Sequence, residues 1–349
     1  MYNLYDYELE KLQELMLEYG QKPFRAKQLF SWIYKKEVTN FDEMSDISLS
    51  FRETLKKDFE IRKPKIHTKQ VSKDNTIKLL IELEDGNLVE TVLIRYLYGN
   101  VACVSSEVGC DMKCAFCASG LFKKRRELKT SEILGQVLLL NDILKEEGNN
   151  EKITHIVVMG TGEPFLNYDN LMSFIRICNS PFALEIGARH ISVSTCGIAK
   201  RIIDYANEGL QTNLAISLHA PNNEIRDKIM PINKFVNIEK LMEAVKYYLS
   251  KSNRRVTFEY ILIKDLNDSL KCAEELVSLI KGVCGYVNLI PYNEVTENNF
   301  KKSPKENVEK FYNYLKKNGI NVTVRKEFGD DIDAACGQLR AKEVKNSES

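Results

Sequence analysis

The chain has 349 residues, of which 44% are hydrophobic and 28% are charged, and its formal net charge is +1. These values are typical of a globular protein, and they exclude any argument for a nucleic-acid partner from overall charge. The sequence shows no signal peptide and no apolar run long enough to cross a bilayer, so we predict a cytoplasmic protein that is not bound to a membrane. In that compartment its nine cysteines are expected to serve metals or catalysis. By default we expect a monomer.

The N-terminal part, residues 1–64, is predicted to be a small helical domain. Apolar residues recur at helical spacing in LEKLQELM and in PFRAKQLFSWIYKK, and a third helix is expected after Ser48. Basic residues make this domain a candidate for docking on RNA, although its acids roughly balance its bases. Residues 65–98 are predicted to form a β extension with turns at DNTI and EDGN.

Strands and helices alternate over residues 99–341. This alternation implies parallel strands joined by right-handed crossovers, so we predict an α/β fold built on a partial (βα)6-type barrel. A polar, disordered tail is expected at 342–349. The predicted strands lie in the segments VACVSSE, HIVVMG, HISVST, NLAISLH, RVTFEYILI, YVNLIP and INVTVR.

A run of three cysteines follows the first of these strands. Cys110, Cys114 and Cys117 have the spacing C-x-x-x-C-x-x-C. Three thiolates would bind three irons of a [4Fe-4S] cluster and leave the fourth iron open to another ligand. A structural zinc site with Cys103 as the fourth ligand is the alternative, although zinc ligands usually come as two separated pairs. The spacing resembles that of the radical S-adenosylmethionine (SAM) superfamily, and this resemblance implies one cluster and SAM as cofactors.

Polar residues also follow the next strands, at the barrel edge where functional groups gather. Gly162 and Glu163 in GTGEP resemble the motif that holds the SAM amino group in this superfamily. The structural alternative is a turn with a solvated glutamate. Hydroxyl, amide and backbone groups at the other strand ends would hold the SAM ribose and carboxylate, or else serve as strand-end caps. These residues are Ser194, Ser217, Leu218, His219 and Asn293. For His219 we expect a structural side chain that lines the site rather than a proton carrier.

Longer segments extend the resemblance to about residues 85–341. They identify the chain as similar to the RlmN/Cfr family of radical SAM RNA methyltransferases. That resemblance implies methylation of C2 of an adenosine in 23S ribosomal RNA and in the tRNA anticodon loop, or of C8 as in the Cfr branch. Two small departures are Glu107, where Gln is common, and Thr161, where Met is common. The segments are CVSSEVGCDMKCAFC, VVMGTGEPFLN, AISLHAPNNEIRDKIMPIN, VNLIPYN and VRKEFGDDIDAACGQL, of which the fourth and fifth favour the C2 branch.

The resemblance also implies roles for three further residues. One SAM would methylate Cys336, and a 5′-deoxyadenosyl radical from a second SAM would activate that methyl group for addition to the base. Cys103 would release the product by forming a disulfide with Cys336, and Glu90 would accept the proton from C2. A flavodoxin or ferredoxin would supply electrons. The structural alternatives are buried cysteines and an exposed strand glutamate.

Two further hypotheses remain open at this point. The basic run at 123–126 would bind phosphates, or it is a solvated turn before a helix. A zinc-stabilised RNA-binding module without catalysis would explain the cysteines and the bases without any SAM chemistry.

Overall fold

The computed structural model describes residues 1–121, 123–148, 151–294, 298–326, 328–329 and 331–332. Cys336 and the predicted tail at 342–349 lie outside the described residues. Within the described part of the chain, no helix has the length and apolar character that a membrane span requires.

The N-terminal unit is helical and shares its core with the rest of the protein. Its helices are α1 (Leu9–Glu18), α2 (Phe24–Phe30) and α3 (Leu49–Asp58), and a π-helical turn at Ser31–Lys35 extends α2. A short parallel pair, β1 (Tyr2–Asn3) and β2 (Phe59–Glu60), joins the two ends of the unit. The buried residues of α1, α2 and α3 form one continuous apolar cluster with those of the barrel helices.

Polar contacts also fix this unit to the barrel. The backbone N–H of Ser131 donates to Asp6 over 2.7 Å. Glu8, which is buried, accepts a hydrogen bond from Ser173 (2.8 Å) and lies 3.3 Å from the Arg176 guanidinium. A buried carboxylate needs such partners, so these contacts set the orientation of the unit.

Ten strands form the central sheet, in the order β14-β13-β12-β11-β10-β9-β6-β5-β4-β3. Seven of them, from β6 to β14, are parallel, as the predicted partial barrel requires. The bounds are β3 (Lys65–Val71), β4 (Ile77–Glu82), β5 (Leu88–Tyr96), β6 (Gly99–Cys103), β9 (Ile153–Val158), β10 (Ile191–Thr195), β11 (Asn213–Ser217), β12 (Val256–Leu262), β13 (Gly285–Pro291) and β14 (Val322–Val324). A separate antiparallel pair, β7 (Glu107–Val108) and β8 (Arg126–Glu127), flanks the cysteine run.

The β extension is part of this sheet. Strands β3, β4 and β5 pair antiparallel, and β5 then pairs with β6, which places Val92 opposite Cys103. The extension therefore forms one wall of the barrel beside a predicted catalytic cysteine.

Helices cover the outer face of the parallel strands. They alternate with the strands along the chain, as predicted. The helices are α4 (Thr130–Glu146), α5 (Tyr168–Asn179), α6 (Ala199–Asn207), α7 (Asn223–Ile229), α8 (Ile238–Lys251), α9 (Leu270–Ile280) and α10 (Lys305–Lys317). Side chains at alternate strand positions point away from these helices and into the barrel.

The chain beyond β14 crosses to the turn between β3 and β4. The backbone N–H of Gly329 donates to Asp74 over 2.9 Å. Asp331 accepts hydrogen bonds from the Ser72 hydroxyl and, over 3.2 Å, from the backbone N–H of Lys73. These contacts connect the two edge strands of the sheet, β14 and β3, which do not pair with each other in the part of the chain that the structure describes.

Candidate active site

A cavity of about 360 Å³ lies at the carboxyl ends of the parallel strands. This size is within the range of small-molecule sites. Most of the predicted site residues line it, although they come from segments almost 200 residues apart. They are Cys103, Cys110, Cys114, Cys117, Gly162, Glu163, Ser194, Ser217, His219 and Asn293.

The three thiols of the cysteine run lie on the loop between β7 and β8. Burial raises the pKa of Cys110 to about 12 and raises that of Cys114 further, so both thiols are protonated at neutral pH in the absence of a metal. The backbone N–H of Ala115 donates to the Ile229 carbonyl (2.9 Å), which fixes the loop against α7. Thiols that are shielded from water and anchored by the backbone fit a bound cluster.

A single zinc ion fits this loop less well than a cluster. Tetrahedral zinc with bonds of about 2.3 Å needs its sulfur ligands to converge on one point. Among the residues that the structure describes, no three His, Cys, Asp or Glu side chains do so. In a [4Fe-4S] cluster each thiolate binds a different iron, so the thiols need only surround the cavity.

Glu163 is fully buried and connects two strand-end loops. One carboxylate oxygen accepts the backbone N–H of Phe165 (3.0 Å) and the other accepts that of Cys196 (2.7 Å). Burial raises the pKa of this carboxyl group. Each oxygen retains lone pairs for a cationic amine in the cavity.

Gly162 allows the backbone after β9 to pack closely against β7, because a residue with a side chain does not fit at this position. Its φ of +112° is one that L side chains rarely adopt. A Cβ atom there would lie 2.7 Å from the Glu107 side chain and from the Ser106 hydroxyl. The glycine therefore lets the backbone close against β7.

Ser194 and Ser217 end neighbouring strands, and their hydroxyl oxygens lie 3.4 Å apart. Both line the cavity, as does Asn293 beyond β13. Leu218 is fully buried and, unlike Ser217 and His219 on either side of it, is not among the residues that line the cavity. Its carbonyl accepts a hydrogen bond from Arg226 over 3.2 Å.

His219 is neutral in this structure. Its Nδ1 accepts the backbone N–H of Ile261 over 3.1 Å, and burial lowers its pKa to about 3, with a further contribution from Arg226. Its φ of +56° turns the chain towards the cavity. These features support the expectation that His219 shapes the site and does not carry protons.

Glu90 and Cys103 lie on adjacent strands of the extension wall. Cys103 lines the cavity, and Glu90 lies on the same face of β5 as Val92 and Ile94, which also line it. The Glu90 side chain is buried and lies 3.0 Å from the ammonium of Lys78, which is fully buried. Glu90 is therefore not an exposed strand residue.

Glu107 is one of the two residues that depart from the family pattern, and its carboxylate has a structural role. It is fully buried, accepts the backbone N–H of Glu163 (3.0 Å) and pairs with Lys124 at 2.7 Å. Arg126 likewise pairs with Asp85 and Glu132. Two of the four basic side chains at 123–126, Lys124 and Arg126, are thus already paired with carboxylates. This pairing weakens the prediction that the run binds phosphates.

Three other residues, of which Glu259 and Cys196 line the cavity, carried no clear signal in the sequence. Arg226 is fully buried and donates to the Cys196 carbonyl over 2.7 Å, joining the loops after β10 and β11. Glu259, in a strand that reads as apolar, faces the cavity and accepts a hydrogen bond from Asn288 over 2.9 Å. Cys196 lies just beyond β10 and lines the cavity.

Comparison with known proteins agrees with this geometry. A profile of the radical SAM superfamily matches residues 104–278, and one described as the ribosomal RNA large subunit methyltransferase N-terminal domain matches residues 2–61. A crystal structure of a radical SAM methyltransferase from Sphaerobacter thermophilus is 38% identical, with a TM-score of 0.90 over 97% of this chain and 99% of that one. The fold and the site are therefore those of a radical SAM methyltransferase, which uses a [4Fe-4S] cluster and SAM.

Two full-length relatives identify the family. Proteins named probable dual-specificity RNA methyltransferase RlmN, from Streptococcus pyogenes serotype M2 (strain MGAS10270) and Streptococcus agalactiae serotype III (strain NEM316), are each 51% identical over 98% of this chain and cover 96% and 94% of their own lengths. The chain belongs to the RlmN family of radical SAM RNA methyltransferases. This assignment confirms the predicted family and leaves the non-catalytic zinc module without support. It also does not favour the C8 branch.

Proposed function

We propose that this enzyme methylates C2 of an adenosine in 23S ribosomal RNA and in tRNA, in the cytoplasm and with electrons from a flavodoxin or ferredoxin. The observation that carries the proposal is the single cavity that joins the cysteine run, Glu163 and Cys103. The names of the relatives, which specify dual-specificity RNA methyltransferases, support two classes of RNA substrate.

Separate groups of residues would bind the cluster and SAM. Cys110, Cys114 and Cys117 would hold the cluster. Glu163 and the Gly162 backbone would hold the SAM amino group, while Ser194, Ser217, the Leu218 backbone, His219 and Asn293 would hold its carboxylate and nucleoside. When bound, the cluster and SAM supply the radical chemistry that an electron-poor aromatic carbon requires.

Release of the product would take place at the extension wall. Cys103 faces the cavity. Its thiol would attack the Cys336 sulfur, so that the bond between this sulfur and the methylene carbon breaks as the disulfide forms, and that carbon takes the electron pair and a proton to become the methyl group of the base. Glu90 would accept the proton that leaves C2. The Lys78 ammonium lies 3.0 Å from the Glu90 carboxylate and would hold that side chain in place.

Nucleoside mass spectrometry tests this function. The reconstituted enzyme with SAM, a reductant and RNA should give 2-methyladenosine, and Cys336→Ala should give none. Cys103→Ala should accumulate RNA covalently attached to the protein. Cys284→Ala is the matched control, because Cys284 is exposed and has no predicted role. A product with the mobility of 8-methyladenosine, or normal turnover by Cys103→Ala, would contradict the proposal.

A further inference from the structure

Five aromatic rings form a continuous row that begins at the active-site cavity. Phe328 packs edge-on against Tyr96 with ring centroids 4.9 Å apart, and Tyr96 stacks on Tyr98 at 4.7 Å and 15°. Tyr98 contacts His155 edge-on at 5.0 Å, and His155 stacks on His190 at 4.2 Å and 22°. The rings come from four separate segments of the chain, so no local motif brings them together.

The row connects the reacting groups with the surface. Its inner ring, Phe328, lines the cavity, and both Phe328 and Tyr96 pack against the apolar cluster that contains Cys103. Further out, the Tyr98 side chain is 63% exposed, and His190 is exposed. Large exposed rings in contact with one another are uncommon on a soluble surface unless they bind something.

Cationic side chains lie at both ends of this row. The Lys326 ammonium lies 5.1 Å from the centre of the Phe328 ring, and Lys326 itself lines the cavity. Arg189, which is exposed, directly precedes His190. Burial and the neighbouring His190 lower the pKa of His155, so that ring stacks as a neutral aromatic group.

Aromatic faces interleaved with cations are the surface that single-stranded RNA requires. Unpaired bases stack on Tyr, Phe and His rings, while Lys and Arg contact the phosphates. The target base must also leave its own stack to reach a buried cavity, which exposes the faces of its neighbours.

We propose that this aromatic row is the entry surface for the substrate RNA, where bases next to the target adenosine stack on Tyr98, His155 and His190 while the target enters the cavity past Phe328. The inference rests on the proposed RNA substrate and adds the surface that binds it. It assigns to the turn between β5 and β6, to β9 and to the segment before β10 an RNA contact that the predicted helical domain alone would not provide.

The test compares three changes in a single exposed turn. Tyr98→Ala removes a ring, Tyr98→Phe keeps it, and Leu97→Ala changes a fully exposed neighbour outside the row. RNA affinity is measured anaerobically at fixed salt with a fluorescent stem–loop that carries an unpaired adenosine. Because stacking of a base on an aromatic ring contributes directly to affinity, we expect Tyr98→Ala to weaken binding roughly fivefold or more.

Kinetics and spectroscopy separate stacking from a general structural effect. Tyr98→Ala should raise KM in proportion to the loss of affinity and leave kcat nearly unchanged, whereas Tyr98→Phe and Leu97→Ala should resemble the wild type. 2-Aminopurine beside the target adenosine should lose fluorescence on binding to the wild type and retain it with Tyr98→Ala. A second variant, His190→Ala, should weaken binding in the same direction.

Methylation of Cys336 from SAM alone needs no RNA, so it should be unchanged in every variant. Equal RNA affinity for the wild type, Tyr98→Ala and His190→Ala would overturn the assignment of this surface. If the wild type instead binds RNA through the row but forms no 2-methyladenosine, the proposed function fails while the binding surface stands.

Discussion

The Glu163 carboxylate lines the cavity and also stabilises the structure around it. Both of its oxygens accept backbone N–H groups, one from each of two strand-end loops. An amide at this position offers only one acceptor oxygen, so Glu163→Gln would leave one buried N–H facing a donor. We expect the free energy of unfolding to fall by about 1–3 kcal/mol, with weaker SAM binding.

Urea unfolding and equilibrium dialysis with SAM measure these two effects. The exposed Glu224→Gln, remote from the cavity lining, is the control. Unchanged stability together with unchanged SAM affinity would show that the carboxylate is not required at this position.

His219 makes the stability of the fold depend on pH. Its pKa in the folded protein is about 3, against an ordinary value of 6.5. Between these values the unfolded chain binds a proton that the folded protein does not. The free energy of unfolding should therefore fall with decreasing pH by up to about 1.4 kcal/mol per unit from this group.

His219→Asn isolates that effect. Asparagine tolerates a positive φ, and its side-chain oxygen can still accept the Ile261 N–H, but it does not titrate. Urea unfolding at pH 7, 6 and 5 should show a shallower decline for His219→Asn than for the wild type. Parallel declines would mean that His219 is protonated in the folded protein.

At the scale of the secondary-structure elements, the strand-end turns determine whether a site forms. Gly162→Ala would place a methyl group 2.7 Å from atoms of Glu107 and Ser106 and would strain the backbone at a φ of +112°. We expect SAM affinity to fall by at least tenfold, because the turn after β9 must move out of the cavity.

Gly187→Ala is the matched control for this change. Gly187 has no positive φ, and a Cβ atom there meets nothing within 4 Å. Isothermal titration with SAM should distinguish the two variants, and similar affinities would contradict the steric argument.

The elements differ in how far the sequence alone predicts them. The seven parallel strands are evident because runs of Val, Ile and Leu alternate with helical periodicity. Pairing of β5 with β6 was not predicted, because register depends on a partner in space as well as on local pattern. Arg226 and Glu259 were missed for a related reason: a buried charge has no periodic signature, and only the fold shows its partners.

At the scale of the whole molecule, the N-terminal unit packs against the barrel, and the two share one hydrophobic core. Glu8 joins them through Ser173 and Arg176, so Glu8→Ala would leave the buried Ser173 hydroxyl without its acceptor and would remove one of the two carboxylates, Glu8 and Glu208, that pair with Arg176. We expect a loss of about 1–3 kcal/mol in the free energy of unfolding and a lower Tm.

Glu10→Ala, on the exposed face of the same helix, is the control for Glu8→Ala. Calorimetry should show one transition for the wild type, at a higher temperature than for Glu8→Ala. An unchanged Tm would show that this contact does not stabilise the docked unit.

The unpaired edges of the ten-stranded sheet have a further consequence for how the molecule opens. Between β14 and the turn after β3, the described chain is joined by hydrogen bonds at Asp74 and Asp331 and by the contact of Phe328 with Tyr96. Each of these three hydrogen bonds has a carboxylate acceptor, so at about 1.5–3 kcal/mol apiece they cost roughly 5–9 kcal/mol to break, which is less than a strand ladder costs. This side of the barrel should therefore open transiently in the native state while the sheet stays intact, and a nucleotide could then leave sideways without global unfolding.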